Sequence, residues 1–276
     1  MSVAEALTAG LPATRPKTSQ AQQWWVLTSR LIAPTFRSGE VLTSILAPAV
    51  FTLGFYLPLN TVMTVFGFGL SSYAQFLMPL IVMQSLAFTA ISAAFRSATD
   101  AVEGINRRFG AMPIGIAVPL GARMSATAFR FVISMAAAVV CGYIIGFRFE
   151  GSAWHTVGFF AFAALVGAAL SVGADLLGTM SSSPEATTQA LMLPQLILGM
   201  LSVGFAPADQ FPEWIQGFVR NQPVSQWVIA LRAFAGDTSG NAGEVTWSLM
   251  FPPLAWALGM IVVLVPLTVW TNTRRP

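Results

Sequence analysis

The chain has 276 residues, 55% of them hydrophobic and only 9% charged, with 21 Phe, 12 Met and 8 Trp. A soluble domain of this length rarely reaches such values, whereas a protein that crosses a membrane several times does so routinely. The small net charge of +3, with no basic stretch interleaved with aromatics, argues against a nucleic-acid partner, and one cysteine cannot form an intramolecular disulfide.

In chain order, the lead MSVAEALTAGLPATRPKTSQAQQ has no apolar core of signal-peptide type. It is expected to be a disordered, Pro/Thr/Ser-bearing segment that is not exported. The stretch QAQQWWVLTSRLIAPTFRSGE follows, in which Trp24, Leu27 and Leu31, with the neighbouring Trp25 and Ile32, fall near one helical face. Arg30 lies elsewhere on that helix. Paired Trp beside cations suits a helix lying in the headgroup layer, and the plainer alternative is an aromatic lead-in that anchors the first span. Residues 1–38 therefore read as a cytosolic lead with an interfacial helix, and 39–276 as one all-α transmembrane domain.

Six apolar windows follow, at Val41–Val65, Phe76–Phe95, Thr127–Phe147, Trp154–Met180, Ala190–Phe205 and Trp247–Trp270. Most approach the ~20 residues that cross ~30 Å of hydrocarbon. The fifth is the shortest and contains Pro194. Cys141 falls inside the third and reads as inert packing. With the N-terminus placed in the cytosol, eleven of the 14 basic residues lie inside, and only Arg148, Arg220 and Arg232 lie outside. The positive-inside rule thus puts both termini in the cytosol.

Between the second and third windows, residues 98–114 read ATDAVEGINRRFGAMPI, a concentration of charge in an oily chain. Asp100 with Glu103 suggests the N-cap and first turn of a short helix, and Gly110 with Pro113 its stop. Val102, Ile105 and Phe109 would form an apolar ridge on it, with Glu103 and Arg107 pointing elsewhere. Such a helix is too short to be stable alone and needs a docking surface. The alternative is an ordinary inner loop whose arginines meet lipid phosphates.

The order Glu103, Gly104, Arg107, Arg108, Phe109, Pro113 resembles the coupling segment of ABC-2 type exporter permeases. The resemblance covers essentially the whole chain. The stretches GEVLTSILAPAVFTLGFYLP, FRSATDAVEGINRRFGAMP and FPEWIQGFVRNQPVSQWVIALRAFAGDT look like daunorubicin-resistance permeases of actinobacteria. They are most similar to the mycobacterial form, associated with export of complex lipids of the phthiocerol dimycocerosate type. The resemblance implies a six-span half-transporter with an interfacial helix and short external re-entrant helices. It implies two copies of a separate DrrA-like ATPase, which would hold ATP and Mg, and a second permease, DrrC-like or another copy of this chain. It also implies that Asp100, Val102, Glu103, Ile105, Arg107, Arg108, Phe109 and Met112 meet that ATPase.

The residues agree that the motor lies elsewhere. A phosphate-cradling P-loop needs a lysine behind a glycine loop, and the only lysine is Lys17, in TRPKTS. The only histidine, His155 at the start of the fourth window, cannot build a multi-histidine metal site and reads as a polar anchor. No nucleophile, base and orienter suggest themselves together, so a membrane enzyme or an ATPase-free channel or scaffold remains the alternative class. No metal or cofactor is expected on the chain itself.

Residues 206–246 form the external segment. Pro212 opens a run with Trp214, Ile215 and Phe218, NQP breaks the chain, and a second run carries Trp227, Leu231 and Phe234. Neither run is long enough to span; they read as a gate over the outer end of a lipid path or as a tryptophan-anchored cap. The windows are rich in Phe, Met and Leu, which suits a lipid or lipophilic drug as passenger. Gln84 is either a pathway residue or a hydrogen-bond partner between helices. Arg130 and Asp175, near the inner ends of the third and fourth windows, are expected to pair with one another, the alternative being that each reaches water or lipid phosphate.

Overall fold

The computed structural model describes residues 19–37, 39–66, 72–105, 108, 114–115, 117–237 and 244–274. The expected disordered lead lies outside these up to residue 18. Nine α-helices and no strand occur among the described residues. The first, α1 (Gln20–Ile32), opens on Ser19 with a reciprocal cap. The Ser19 hydroxyl accepts from Gln22 N at 3.2 Å, and Ser19 N donates to the Gln22 side chain at 3.1 Å. The helix packs against α4 (Ala117–Ile145). There the Trp24 indole donates to Ser125 Oγ at 3.2 Å, while Trp25 remains exposed. Both indole rings thus lie on the outside of the bundle, one of them tied to α4.

Five helices are long and apolar enough to cross a membrane: α2 (Glu40–Phe66), α3 (Tyr73–Val102), α4, α5 (Ala153–Met180) and α9 (Trp247–Arg274). The expected fifth span, Ala190–Phe205, is shifted. Its helix, α6, is Pro184–Met200, 17 residues or roughly 25 Å. Its start is set by strong local chemistry that the hydropathy window overlooks. Ser183 caps Ala186 N at 3.3 Å, Pro184 occupies the first position, and Glu185 sits in the first turn. Its end is set by Ser202, whose hydroxyl donates to Gly199 O at 2.6 Å and turns the chain out of the helix.

The second and third helices also exceed their windows. The α3 helix runs on past Phe95 to Val102, and α4 begins at Ala117 rather than Thr127. Pro119 does not prevent this, because a proline in the first turn forfeits no intrahelical bond. The arginines inside both extensions, Arg96 and Arg123, find carboxylate partners, as described below, so hydropathy alone underestimates their length.

α3 is the central element. It packs against α2, α4, α5, α6 and α8 (Pro223–Ala235), and is buried along most of its length. Without a hydrophobic drive between helices in lipid, close approach depends on small side chains. At the α3–α5 crossing these are Ala90 and Ala94 against Ala174 and Gly178. A Cβ on Gly178 would lie 2.4 Å from the carbonyl oxygen of Ala94, so only glycine fits there. Two buried hydroxyls at this crossing are satisfied on their own helices, Ser85 donating to Ile81 O at 2.7 Å and Ser171 to Gly167 O at 2.8 Å.

At the end of the bundle remote from Glu40, the short α7 (Glu213–Asn221) precedes α8, with Gln222 as the only residue between them. Arg232, counted from sequence with the basic residues on the outer side, is fully buried. Its Nη2 donates to Phe76 O at 2.8 Å and to Val203 O at 3.2 Å, and its guanidinium lies 3.9 Å over the Phe76 ring. Carbonyls and an aromatic face replace the water that this cation would otherwise need. Burial pushes its guanidinium down to about 10, so it stays charged at neutral pH. It thereby ties α8 to α3 and to the turn after α6.

The Gly178 contact supplies a test of the helix crossing. Gly178→Val is expected to lower stability by about 1–3 kcal/mol, because the obstructing atom is backbone and cannot swing away. Gly54→Val, with open space around its Cβ position, is expected to be near neutral. Thermal denaturation of both variants in detergent checks this.

Candidate functional site

The charged residues of the apolar helices gather at one end of the bundle. Arg96, Ser97 and Asp100 lie in the last turns of α3, Arg123 and Arg130 in α4, Glu40 at the start of α2 and Asp175 near the end of α5. Arg123 binds Asp175 through both ends of its guanidinium, Nε to Oδ1 at 2.7 Å and Nη2 to Oδ2 at 3.2 Å. Ser97 Oγ donates to the same carboxylate at 2.7 Å. The second group centres on Glu40. Arg130 Nε donates to Glu40 Oε2 at 2.8 Å, Arg96 Nη1 pairs with the same oxygen, and Arg130 Nη2 reaches Thr35 Oγ1 at 3.3 Å.

This arrangement corrects the expected Arg130–Asp175 pair. Both residues are buried and both are paired, but with other partners. Arg123 and Arg130 lie on one stripe of α4, two turns or roughly 10 Å apart, and Asp175 is level with the former. Starting the third window at Thr127 leaves Arg123 in the loop and assigns Asp175 the wrong arginine. Glu40, Ser97 and Arg123 are the participants that the sequence reading missed. A usable signal exists: a lone acid at the mouth of the first apolar run faces several arginines at matching helix ends.

The proposed coupling segment continues from this cluster. Asp100 is not the N-cap of a separate helix. It lies in the last turn of α3, where Glu103 N still donates to Thr99 O at 2.9 Å. Gly104, at φ +70°, then takes the left-handed conformation that ends the helix. Val102 and Glu103 are exposed and Ile105 is half-buried. Arg108 is exposed, with its N–H on Gly104 O at 3.3 Å. Val102 and Ile105 fall on either side of the Gly104 break, so the expected ridge is not carried by one continuous helix. Arg107, Phe109 and Met112 lie outside the described residues.

Gln84 is a partner between helices. Its Oε1 accepts from Gln195 Nε2 of α6 at 2.7 Å, and it packs so tightly on Gly199 that no Cβ fits there. Beside that contact, α2, α3, α4 and α6 enclose a cavity of about 350 Å³. Its polar end carries Glu40, Arg96 and Arg130, and its apolar wall includes Phe88, Phe95 and Met192.

In the external segment, Trp214 and Phe218 of α7 are exposed and Ile215 is half-buried. Trp227, grouped with them from sequence, is instead in the core and donates its indole N–H to Pro253 O of α9 at 3.2 Å. An aromatic with a polar handle is buried only where that handle finds an acceptor, and the kink region of α9 offers one. Arg30 of α1 is exposed. His155 makes only a local contact, 2.7 Å from Ser152 Oγ at the start of α5. Among the described residues no three His, Cys, Asp or Glu side chains group as metal ligands.

The corrected pairing predicts specific couplings. Asp175→Leu alone strands the Arg123 charge in a nearly dry site and is expected to cost about 3–5 kcal/mol. Adding Arg123→Met should recover part of that loss, whereas adding Arg130→Met should simply sum with it. Thermal denaturation of the singles and doubles decides between the two pairings.

No protein-family model matches the chain. It is 43% identical over 263 residues to the doxorubicin resistance ABC transporter permease protein DrrB of Mycobacterium tuberculosis, covering 94% of this chain and 91% of that protein. The daunorubicin resistance ABC transporter permease protein DrrB1 of Streptomyces coeruleorubidus is 26% identical over 71% of this chain and 67% of its own length. The probable doxorubicin resistance ABC transporter permease protein DrrC of M. tuberculosis is 28% identical over 60% and 58%. With several membrane-length helices and an ABC permease relative matched nearly end to end, the chain belongs to the DrrB-type family of ABC transporter permeases.

Proposed function

We propose that the chain is one permease half of an ATP-driven exporter that moves a lipid or lipophilic drug out of a bacterial plasma membrane. Two copies of a separate DrrA-like ATPase would bind ATP and Mg, and a DrrC-like permease or a second copy of this chain would complete the path. The observation that carries this reading is the course of α3. It emerges from the bundle at the exposed Val102 and its cap Glu103, and five to seven residues earlier carries Arg96 and Ser97, bonded to Glu40 of α2 and Asp175 of α5. A push on the emergent end would be delivered through these polar contacts to α2 and α5, and through their carboxylates to α4.

The reading includes six spans, with α6 and the turns after it as the fifth in chain order, and both termini in the cytosol. Basic residues at the Glu40 end support that orientation, as does their scarcity at the other end. The exposed Trp214 and Phe218 then face the outer interface. The apolar wall beside Glu40 suits a lipophilic passenger. The relatives' names, which specify doxorubicin and daunorubicin resistance, support the drug as one such passenger.

Co-expression with the ATPase tests the coupling in two steps. Val102→Asp and Phe109→Ala are each expected to reduce the co-purified ATPase by more than about tenfold, as truncating or charging a binding anchor does. Ser97→Ala is expected to leave assembly intact and to lower lipid-stimulated ATP turnover and transport. Normal assembly and transport in the Val102 and Phe109 variants would remove the segment from the contact.

A further inference from the structure

The cavity beside Glu40 has a charge and hydrogen-bond inventory that its own walls do not balance. Two guanidinium groups, Arg96 and Arg130, share a single carboxylate oxygen of Glu40. Arg123 is taken up by Asp175, and Asp100 lies outside the cavity, one turn farther along α3. Arg96 Nη2 is buried and has no hydrogen-bond partner among the described residues. A buried guanidinium N–H without an acceptor is costly, and the acceptor that suits it best is an anionic oxygen.

The rest of the polar lining has the opposite need. Thr43 and Ser44 donate their hydroxyl hydrogens to Glu40 O, Thr89 to Ser85 O, Ser92 to Phe88 O and Thr188 to Pro184 O. Each hydroxyl hydrogen is thereby used within its own helix, and each oxygen keeps lone pairs. The wall therefore offers acceptors, while the free donor sits on Arg96. A complementary ligand brings an anionic oxygen to Arg96 and hydroxyl donors to the threonine and serine oxygens. Phe88, Ile91, Phe95 and Met192 line the remainder, so such a head must be joined to an apolar body.

We infer that this cavity binds the headgroup of an anionic, hydroxyl-bearing phospholipid, of which phosphatidylglycerol is the simplest probe. The phosphate faces Arg96, and the glycerol hydroxyls donate to the α2, α3 and α6 side chains. The inference rests on the membrane reading of the chain and not on ATP-driven transport, so it is tested on the permease alone and is independent of the export assay.

The full chain is delipidated in detergent and titrated with phosphatidylglycerol, phosphatidic acid and phosphatidylcholine of matched acyl chains, with bound lipid read by native mass spectrometry. Phosphatidylglycerol is expected to bind at least about tenfold more tightly than phosphatidylcholine, whose phosphate can also reach Arg96 but whose trimethylammonium brings no hydroxyl donor and sets a cation beside two guanidinium groups, and more tightly than phosphatidic acid, which lacks the glycerol hydroxyls. Arg96→Gln should weaken phosphatidylglycerol binding by at least about tenfold, the worth of one charge-assisted hydrogen bond. Ser92→Phe, which fills the cavity without touching a charge, should do the same while the thermal midpoint is retained, and it keeps the test decisive if Arg96→Gln fails to fold. Millimolar inorganic phosphate should not displace the lipid. Equal retention of the three lipids, wild-type binding in folded Ser92→Phe, or displacement by inorganic phosphate would each overturn the inference.

Discussion

A charge placed within hydrocarbon must meet an opposite charge or a dense set of dipoles, and the helix arrangement answers to that requirement. A lone arginine or aspartate at the bilayer centre costs ~2.5–3.5 kcal/mol even on insertion scales, and the chain carries five such groups in its apolar helices near one end. Their partners come from different helices. Glu40 of α2 holds Arg96 of α3 and Arg130 of α4, and Asp175 of α5 holds Arg123 of α4 with Ser97 of α3. None of α2, α3, α4 and α5 can slide or rotate by a turn without breaking a pair. Such pairs add little net stability over well-packed apolar residues, but losing one partner is severe, so they fix register more than they add strength.

The opposite end solves the same problem with a different chemistry. There the buried cation Arg232 is held by the carbonyl oxygens of Phe76 and Val203 and by the face of the Phe76 ring. Gln75, also buried, exchanges hydrogen bonds with the backbone of Arg148 at 2.7 and 3.0 Å. Backbone acceptors are available at that end because the chain turns there repeatedly, before α5, after α6 and around α7 and α8. Close packing completes the joint: a Cβ on Gly236 would lie 2.4 Å from Gly151 N. One end of the bundle is registered by ion pairs between helices; at the other, backbone carbonyls and an aromatic face hold Arg232, with the Asp237 charge acting on it.

Much of this was legible in the sequence, and the rest fails for identifiable reasons. The all-helical membrane class, a short capped helix carrying Trp24 and Trp25, and the break between the two short helices before the last span follow from composition and local chemistry, and the structure has each. Helix ends were less legible because hydropathy treats Arg96 and Arg123 as outside the membrane helices. Paired with Glu40 and Asp175 they remain inside, so α3 and α4 extend past their windows. The pairing of Arg130 was misread for the same reason. Periodicity gives a residue's stripe on a helix but not its level against a neighbour, and two turns of offset change the partner. The burial of Arg232 and Trp227 was not legible because it depends on acceptors, Val203 O and Pro253 O, that only the tertiary fold supplies.

The placement of the cavity against the ionic cluster has a thermodynamic consequence. Arg96 lines the cavity and holds Glu40 through Nη1, so an anion on its Nη2 would share one guanidinium with Glu40. Any shift of that guanidinium toward the anion acts on the tie between α2 and α3, near the point where α3 ends at Val102. If an ATPase docked on the emergent end prefers one arrangement of α3, linkage requires that it alter headgroup affinity by the factor with which the headgroup alters docking. The coupling needs no wire across the protein, because both events act on one helix, and Arg96 lies less than two turns from its exposed end. The cavity and the coupling segment are therefore two loads on a single element, α3, and the Glu40 ion pairs set the stiffness between them.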